Sequence, residues 1–212
     1  MTIPKAITVH HLENSRSQRV LWLLEELGLP YEVKRYERNR KTMLAPPELR
    51  KIHPLGKSPV VEHDGRIIAE TATIIGYLVA LAGGRLGPPA DTDGGLRWRY
   101  FLDYAEGSLM PPLLLSLVIQ KMGPFGWPAK GFVEKMAMTH IDYVESELVT
   151  RPWFAGADFS AADIMMSFPL EAARGRLKLD GRRPNIVEWL DKIHARPAYQ
   201  AALEQGGPYA YA

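Results

Sequence analysis

"HHLENSRSQRVLWLLEELG", residues 10–28, carries two histidines, an Asn-Ser-Arg-Ser cluster and an apolar run that a glycine stops. Upstream, "AITVHH" (6–11) is short and β-branched, as suits a buried strand. Downstream, Val20, Leu23, Leu24 and Leu27 recur at helical spacing, and Gly28 supplies a C-terminal stop. The stretch spells a strand handing over to a helix, with polar residues at the junction. Ser15 and Gln18 fit an S-x-x-Q capping box there. The same place suits an anion, because a helix start presents backbone N–H groups and a partial positive charge.

Working outward, "YEVKRY" (31–36) alternates as a second strand, and "SPVVEH" and "RIIAE" flank Asp64-Gly65 as a hairpin. "TATIIGYLVALAGG" (71–84) then has helix character and ends in glycines. Residues 1–82 therefore read as an α/β domain. "GGRLGPPADTDGG" (83–95) is dense in Gly, Pro and Asp and reads as a linker. Residues 96–212 read as an all-α bundle, with helices near 96–121, 130–149, 160–175, 185–195 and 198–205. Pro111-Pro112 predicts a kink or break in the first of these. Within "FSAADI", Ser160 and Asp163 form a capping-box pattern, with Phe159 and Ile164 as its hydrophobic staple.

Composition narrows the function classes. Lys plus Arg total 26 against 24 Asp plus Glu, far from the basic excess of a nucleic-acid binder. Cys is absent, which removes disulfides, thiolate metal sites and a cysteine nucleophile, so any sulfur chemistry uses a borrowed thiol. The N-terminus lacks a signal core, and the runs "IIGYLVALA" and "LLLSLVI" fall short of a spanning helix, so a cytoplasmic protein without membrane partners is expected. His10 and His11, adjacent on a strand, point to opposite faces, and His63, His140 and His194 show no ligand spacing, so no metal is implied.

Two further stretches carry chemistry. Residues 34–57 hold eight Lys and Arg against Glu37 and Glu48, a local excess of +6. A solvated face accounts for most such runs, but in a chain of net charge +2 the excess also attracts anions. In "GKSPVVEHDGRIIAET" (56–71), Pro59 opens a strand without a donor, which leaves the backbone at Ser58 able to pair with an extended peptide. Glu70-Thr71 falls where strand gives way to helix. Thr71 either caps that helix or helps hold a carboxylate, while Glu70 suits an ammonium.

In this order, "ITVHHLENSRSQRVLWLLEELGLPYE", "HPLGKSPVVEHDGRIIAET", a linker and a helical half containing "FSAADI" resemble the cytosolic glutathione transferases, especially serine-type bacterial and fungal members. The resemblance covers nearly the whole chain. It implies a thioredoxin-like domain followed by a helical domain, a homodimer, and a detoxifying conjugation of the glutathione thiol to small hydrophobic electrophiles. It also implies that Ser15 hydrogen-bonds the glutathione sulfur, with Asn14 and Ser17 as substitutes. Pro59 matches the cis-proline, Ser58 the residue whose backbone pairs with the cysteinyl part, and Glu70 and Thr71 the pair gripping the γ-glutamyl end. Lys57 and, more weakly, His53 fall to the glycyl carboxylate, and Asp103 to the partner subunit's glutathione.

No tyrosine occurs in "ITVHHLENSRS", so the tyrosine-type site is disfavoured, and the absence of Cys excludes the cysteine type. Met110, Met122, Phe125 and Trp127 are candidates to line an electrophile pocket between the domains, although such residues more often pack a core. The tail "GPYAYA" (207–212) is a candidate cover for the site, against the ordinary mobility of termini. Glutathione-dependent reduction of peroxides or disulfides, and noncatalytic glutathione binding, are the competing functions.

Overall fold

A computed structural model describes residues 6–177, 179 and 181–211. It divides into two compact units, one of residues up to Leu86 together with Ala195–Ala210, the other of Gly87–His194 with Tyr211.

In the first unit β1 (Ile7–Leu12) leads into α1 (Ser17–Leu27), which ends at Gly28 with φ of 60°. The Leu29 N–H reaches back to the Leu24 carbonyl there, a closure that needs the left-handed residue glycine provides. β2 (Tyr31–Tyr36) runs parallel to β1. After the short α2 (Leu49–Ile52), β3 (Val60–His63) and β4 (Arg66–Ala69) form the hairpin, with positive φ at both Asp64 and Gly65 as a two-residue turn requires. The strand order is β2-β1-β3-β4, with β3 antiparallel to both neighbours. α3 (Thr71–Leu81) packs against α1. Val9, Val61, Leu23, Ile74 and Leu78, all fully buried, belong to this core.

The second unit is helical: α4 (Asp93–Tyr104), α5 (Met110–Lys121), α6 (Trp127–Thr150), α7 (Ala161–Leu177) and α8 (Pro184–His194). α4 starts inside the segment read as linker. Gly95 lies in its first turn because a Cβ there would collide with the Pro89 carbonyl. Pro111-Pro112 neither ends nor interrupts the helical path. A π-helical turn over Ala105–Leu109 precedes the prolines and takes up the mismatch they create, so Asp93–Lys121 runs as 29 helical residues. One window of this path, at mean hydropathy 1.2, is apolar and long enough to cross a membrane by length and composition, which the shorter runs did not suggest. α6 and α7 cover its inner face.

The cap on α7 forms as a buried cluster. Asp163 Oδ2 accepts from the Ser160 N–H at 2.9 Å, and Oδ1 accepts from the Phe154 N–H at 3.0 Å and the Trp189 indole at 3.4 Å. Phe159 turns its ring to Trp153.

The last helix, α9 (Pro197–Gly206), corrects the expected boundary: it belongs to the first unit rather than to the helical one. It packs on α1, where Tyr199 meets Trp22 edge-on at 5.1 Å and Arg196 makes two hydrogen bonds to Glu26, at 2.6 and 2.9 Å.

Candidate functional site

Four chain segments meet around the end of β1. Ser58 donates to the His10 carbonyl at 2.8 Å and accepts the Leu12 N–H at 3.2 Å, and the Ser17 oxygen lies 3.3 Å from the same N–H. The Ser58–Pro59 bond at this corner is cis. From α1, Arg19 reaches Thr71 Oγ1 at 3.4 Å, tying the start of α3 to the start of α1. Arg19 is 1% exposed, a cation inside an otherwise apolar helix face. Sequence reasoning passed over it, and that mismatch of residue and periodicity was the available signal.

The junction differs from a simple cap. α1 begins at Ser17, and its N-cap position, Arg16, makes no side-chain capping bond. Ser15 Oγ accepts from the Ser17 N–H at 3.2 Å and lies 2.7 Å from Ser17 Oγ. Among the described residues the buried Gln18 amide has no hydrogen-bond partner, so the S-x-x-Q box does not close. Ser17, fully buried, continues inward to His11 Nδ1 at 2.9 Å. Burial, then Arg35, pushes the His11 pKa down to about 4, although a bond to the Gly206 backbone opposes this, so the ring is neutral at pH 7.

Glu70 is exposed and holds φ of 67° and ψ of 123°, a strained backbone for a residue with a side chain. Its carbonyl takes the Ile74 N–H at 2.9 Å, so α3 starts beside it. Thr71 does not cap α3; its hydroxyl accepts from Arg19 instead. Asn14, with φ of 48°, stands in the turn before α1, and its Oδ1 accepts the Ala210 N–H at 2.7 Å. His53 closes α2 half-buried and Lys57 is exposed on the following loop. The basic stretch is partly structural: Arg38 donates to the Glu13, Asn14 and Met43 carbonyls, and Arg35 to the carbonyls at the end of α9. Asn14, Ser15, Ser17, Ser58, Glu70 and Thr71 thus share one connected corner of the first unit.

Known proteins match this chain over nearly its whole length. The family descriptions "Glutathione S-transferase, N-terminal domain" and "Glutathione S-transferase, C-terminal domain" match residues 15–81 and 129–192. "Glutathione S-transferase 3" of Schizosaccharomyces pombe is 36% identical over 94% of this chain and 87% of its own length. "Glutathione S-transferase 1" of Saccharomyces cerevisiae is 35% identical over 97% of each. The crystal structure of a glutathione S-transferase from Actinobacillus pleuropneumoniae superposes with a TM-score of 0.87 at 34% identity, covering 97% of this chain and 95% of that one.

The chain belongs to the glutathione S-transferase family.

The helical unit of the transferase holds Asp103, exposed on α4, and a cavity of about 660 Å³ between α5, α6 and the end of α7. Of the four apolar candidates, Trp127 lines that cavity, Met110 is core, and Met122 and Phe125 are exposed and do not line it. Five of the six histidines bond other side chains: His10 with Tyr36, His11 with Ser17, His63 with Tyr77, His140 with Tyr104 and His194 with Glu171. Among the described residues no group of three His, Cys, Asp or Glu is placed to hold a metal.

Proposed function

We propose that this transferase binds glutathione at the β1–α1 corner and transfers its thiolate to small hydrophobic electrophiles. The observation that carries the reading is the joining of the Ser58–Pro59 corner, the α1 start and the Glu70–Thr71 pair through Leu12 and Arg19. A tripeptide needs those three groups at once: a backbone edge for its middle, an acid for its ammonium end and a helix start for its sulfur.

In this reading the Ser58 backbone pairs with the cysteinyl residue. Glu70 receives the γ-glutamyl ammonium, and the first N–H groups of α3, backed by Arg19 and Thr71, hold its carboxylate. Lys57 and His53 serve the glycyl carboxylate. In a homodimer, Asp103 extends toward the glutathione of the second copy. The side-chain hydrogen bond to sulfur falls to one of Asn14, Ser15 and Ser17.

A thiol with a pKa of about 8.5 is mostly protonated at pH 7, and the thiolate is the nucleophile. The start of α1 favours the anion, and each pKa unit gained is worth about 1.4 kcal/mol. The thiol proton leaves to solvent, sulfur bonds to the electrophilic carbon, and the leaving group departs with its electron pair. A cytoplasmic detoxifying role follows from that chemistry, since the cytosol keeps glutathione reduced.

Calorimetry with glutathione and a spectrophotometric assay with an aryl halide test the proposal. Saturable binding and conjugation at pH 7 are expected. Binding without turnover of any aryl halide would remove the conjugating role, and turnover of hydroperoxides alone would replace it with reduction.

A further inference from the structure

Asn14, Ser15 and Ser17 are the candidates for the side-chain hydrogen bond to sulfur, and counting protons separates them. His11 Nδ1 faces Ser17 Oγ at 2.9 Å, and the same hydroxyl donates to the Leu12 carbonyl at 3.3 Å. Ser17 has a single proton, and the Leu12 carbonyl takes it. The 2.7 Å contact between Ser15 and Ser17 oxygens needs one proton, which Ser15 must supply. Ser15 has only that one, and its oxygen is further occupied by the Ser17 N–H. Turning the proton outward would leave two buried oxygens in contact with nothing between them. Ser15 is also only 5% exposed.

Asn14 is arranged the opposite way. The Ala210 N–H holds Oδ1, which fixes the orientation of the amide. Nδ2 carries two protons, and neither has a partner among the described residues. The residue is half-exposed, in a left-handed conformation that asparagine tolerates.

We infer that the Asn14 carboxamide, rather than the Ser15 hydroxyl, gives the bound thiolate its side-chain hydrogen bond, while Ser15, Ser17 and His11 brace the turn from inside. The inference rests on glutathione binding at this corner. A carboxamide neither gains nor loses a proton in the working range, so its donors are always available to sulfur.

Ultraviolet titration of the bound thiolate, with kcat and KM, tests it in Asn14→Asp, Asn14→Gly and Ser15→Ala. Both Asn14 replacements tolerate positive φ. Asn14→Gly removes the donor without adding charge; it is expected to raise the bound thiol pKa by about one unit, cutting thiolate and kcat about tenfold near neutrality while KM for glutathione moves less. Asn14→Asp is expected to raise it further by like-charge repulsion. Ser15→Ala is expected to lower the melting temperature while shifting the thiol pKa less than Asn14→Gly does. A wild-type thiol pKa in both Asn14 variants, with a raised one in Ser15→Ala, would return the role to Ser15. Failure of the wild-type protein to bind glutathione would instead remove the site reading itself.

Discussion

Glu70 concentrates the tension between stability and binding in one residue. A side-chain-bearing residue at φ of 67° and ψ of 123° costs on the order of 1–3 kcal/mol, and nothing in the fold needs glutamate there, since its carbonyl alone accepts the first α3 hydrogen bond. Glu70→Gly should therefore stabilise the protein by about 1 kcal/mol in urea unfolding. If its carboxylate holds an ammonium, the same change should weaken glutathione binding about tenfold. A variant that binds normally would detach Glu70 from the ligand. The residue type and its place were legible in "AET" because periodicity marks the strand-to-helix switch there, but its strain was not. The direction of the Ser15 proton was not legible at all, since it depends on partners brought together by folding.

At the scale of elements, α9 is the part that contradicts its own position in the chain. Helical periodicity and the proline at its start place a helix at 197–206 but say nothing of what it packs on. Its address comes from side chains about 170 positions away. Glu26 is 11% exposed on α1, takes two bonds from Arg196 and one from the Trp22 indole, and cannot be left without its cation cheaply. Arg196→Ala should cost about 2 kcal/mol and loosen α9 first. Hydrogen exchange of α9 peptides checks this; protection unchanged from wild type would mean that the Trp22–Tyr199 contact alone docks the helix.

Across the whole molecule, the two units should answer acid in opposite directions. His11, 3% exposed in the first unit, has its folded pKa depressed to about 4 from 6.5. The unfolded chain therefore binds the proton better, and the contribution of about 3 kcal/mol is present above pH 6.5 and lost as pH falls toward 4. Asp163, fully buried in the second unit, has its folded pKa raised to about 6 from 3.8 by burial, against four hydrogen bonds to the carboxylate. Here the folded state binds the proton better, so about 3 kcal/mol is present below pH 3.8 and lost as pH rises through 6. Between pH 6 and 4, acid should weaken the first unit while the second gains. Fluorescence of Trp22, the one tryptophan of the first unit, reports its unfolding, and exchange in α7 peptides reports the second. Asp163→Asn should abolish the gain. A parallel loss in both units would contradict the assignment for Asp163.

Determined by sequence alone were the features whose partners lie within a turn or two of chain: the strand and helix of 7–27, the glycine stop, the Asp64-Gly65 hairpin, the Ser160–Asp163 cap and the break between an α/β half and a helical half. Each follows from local periodicity, capping or turn chemistry, which act over a few residues. Only the tertiary structure decided that Ser58 and Ser17 share the Leu12 N–H, that Arg19 supports Thr71, that α9 returns to α1, and that the Asn14 amide is set by a backbone group 196 positions on. A hydrogen bond is short and directional, so its partner is chosen by where distant segments come to rest. No periodicity along the chain encodes that choice.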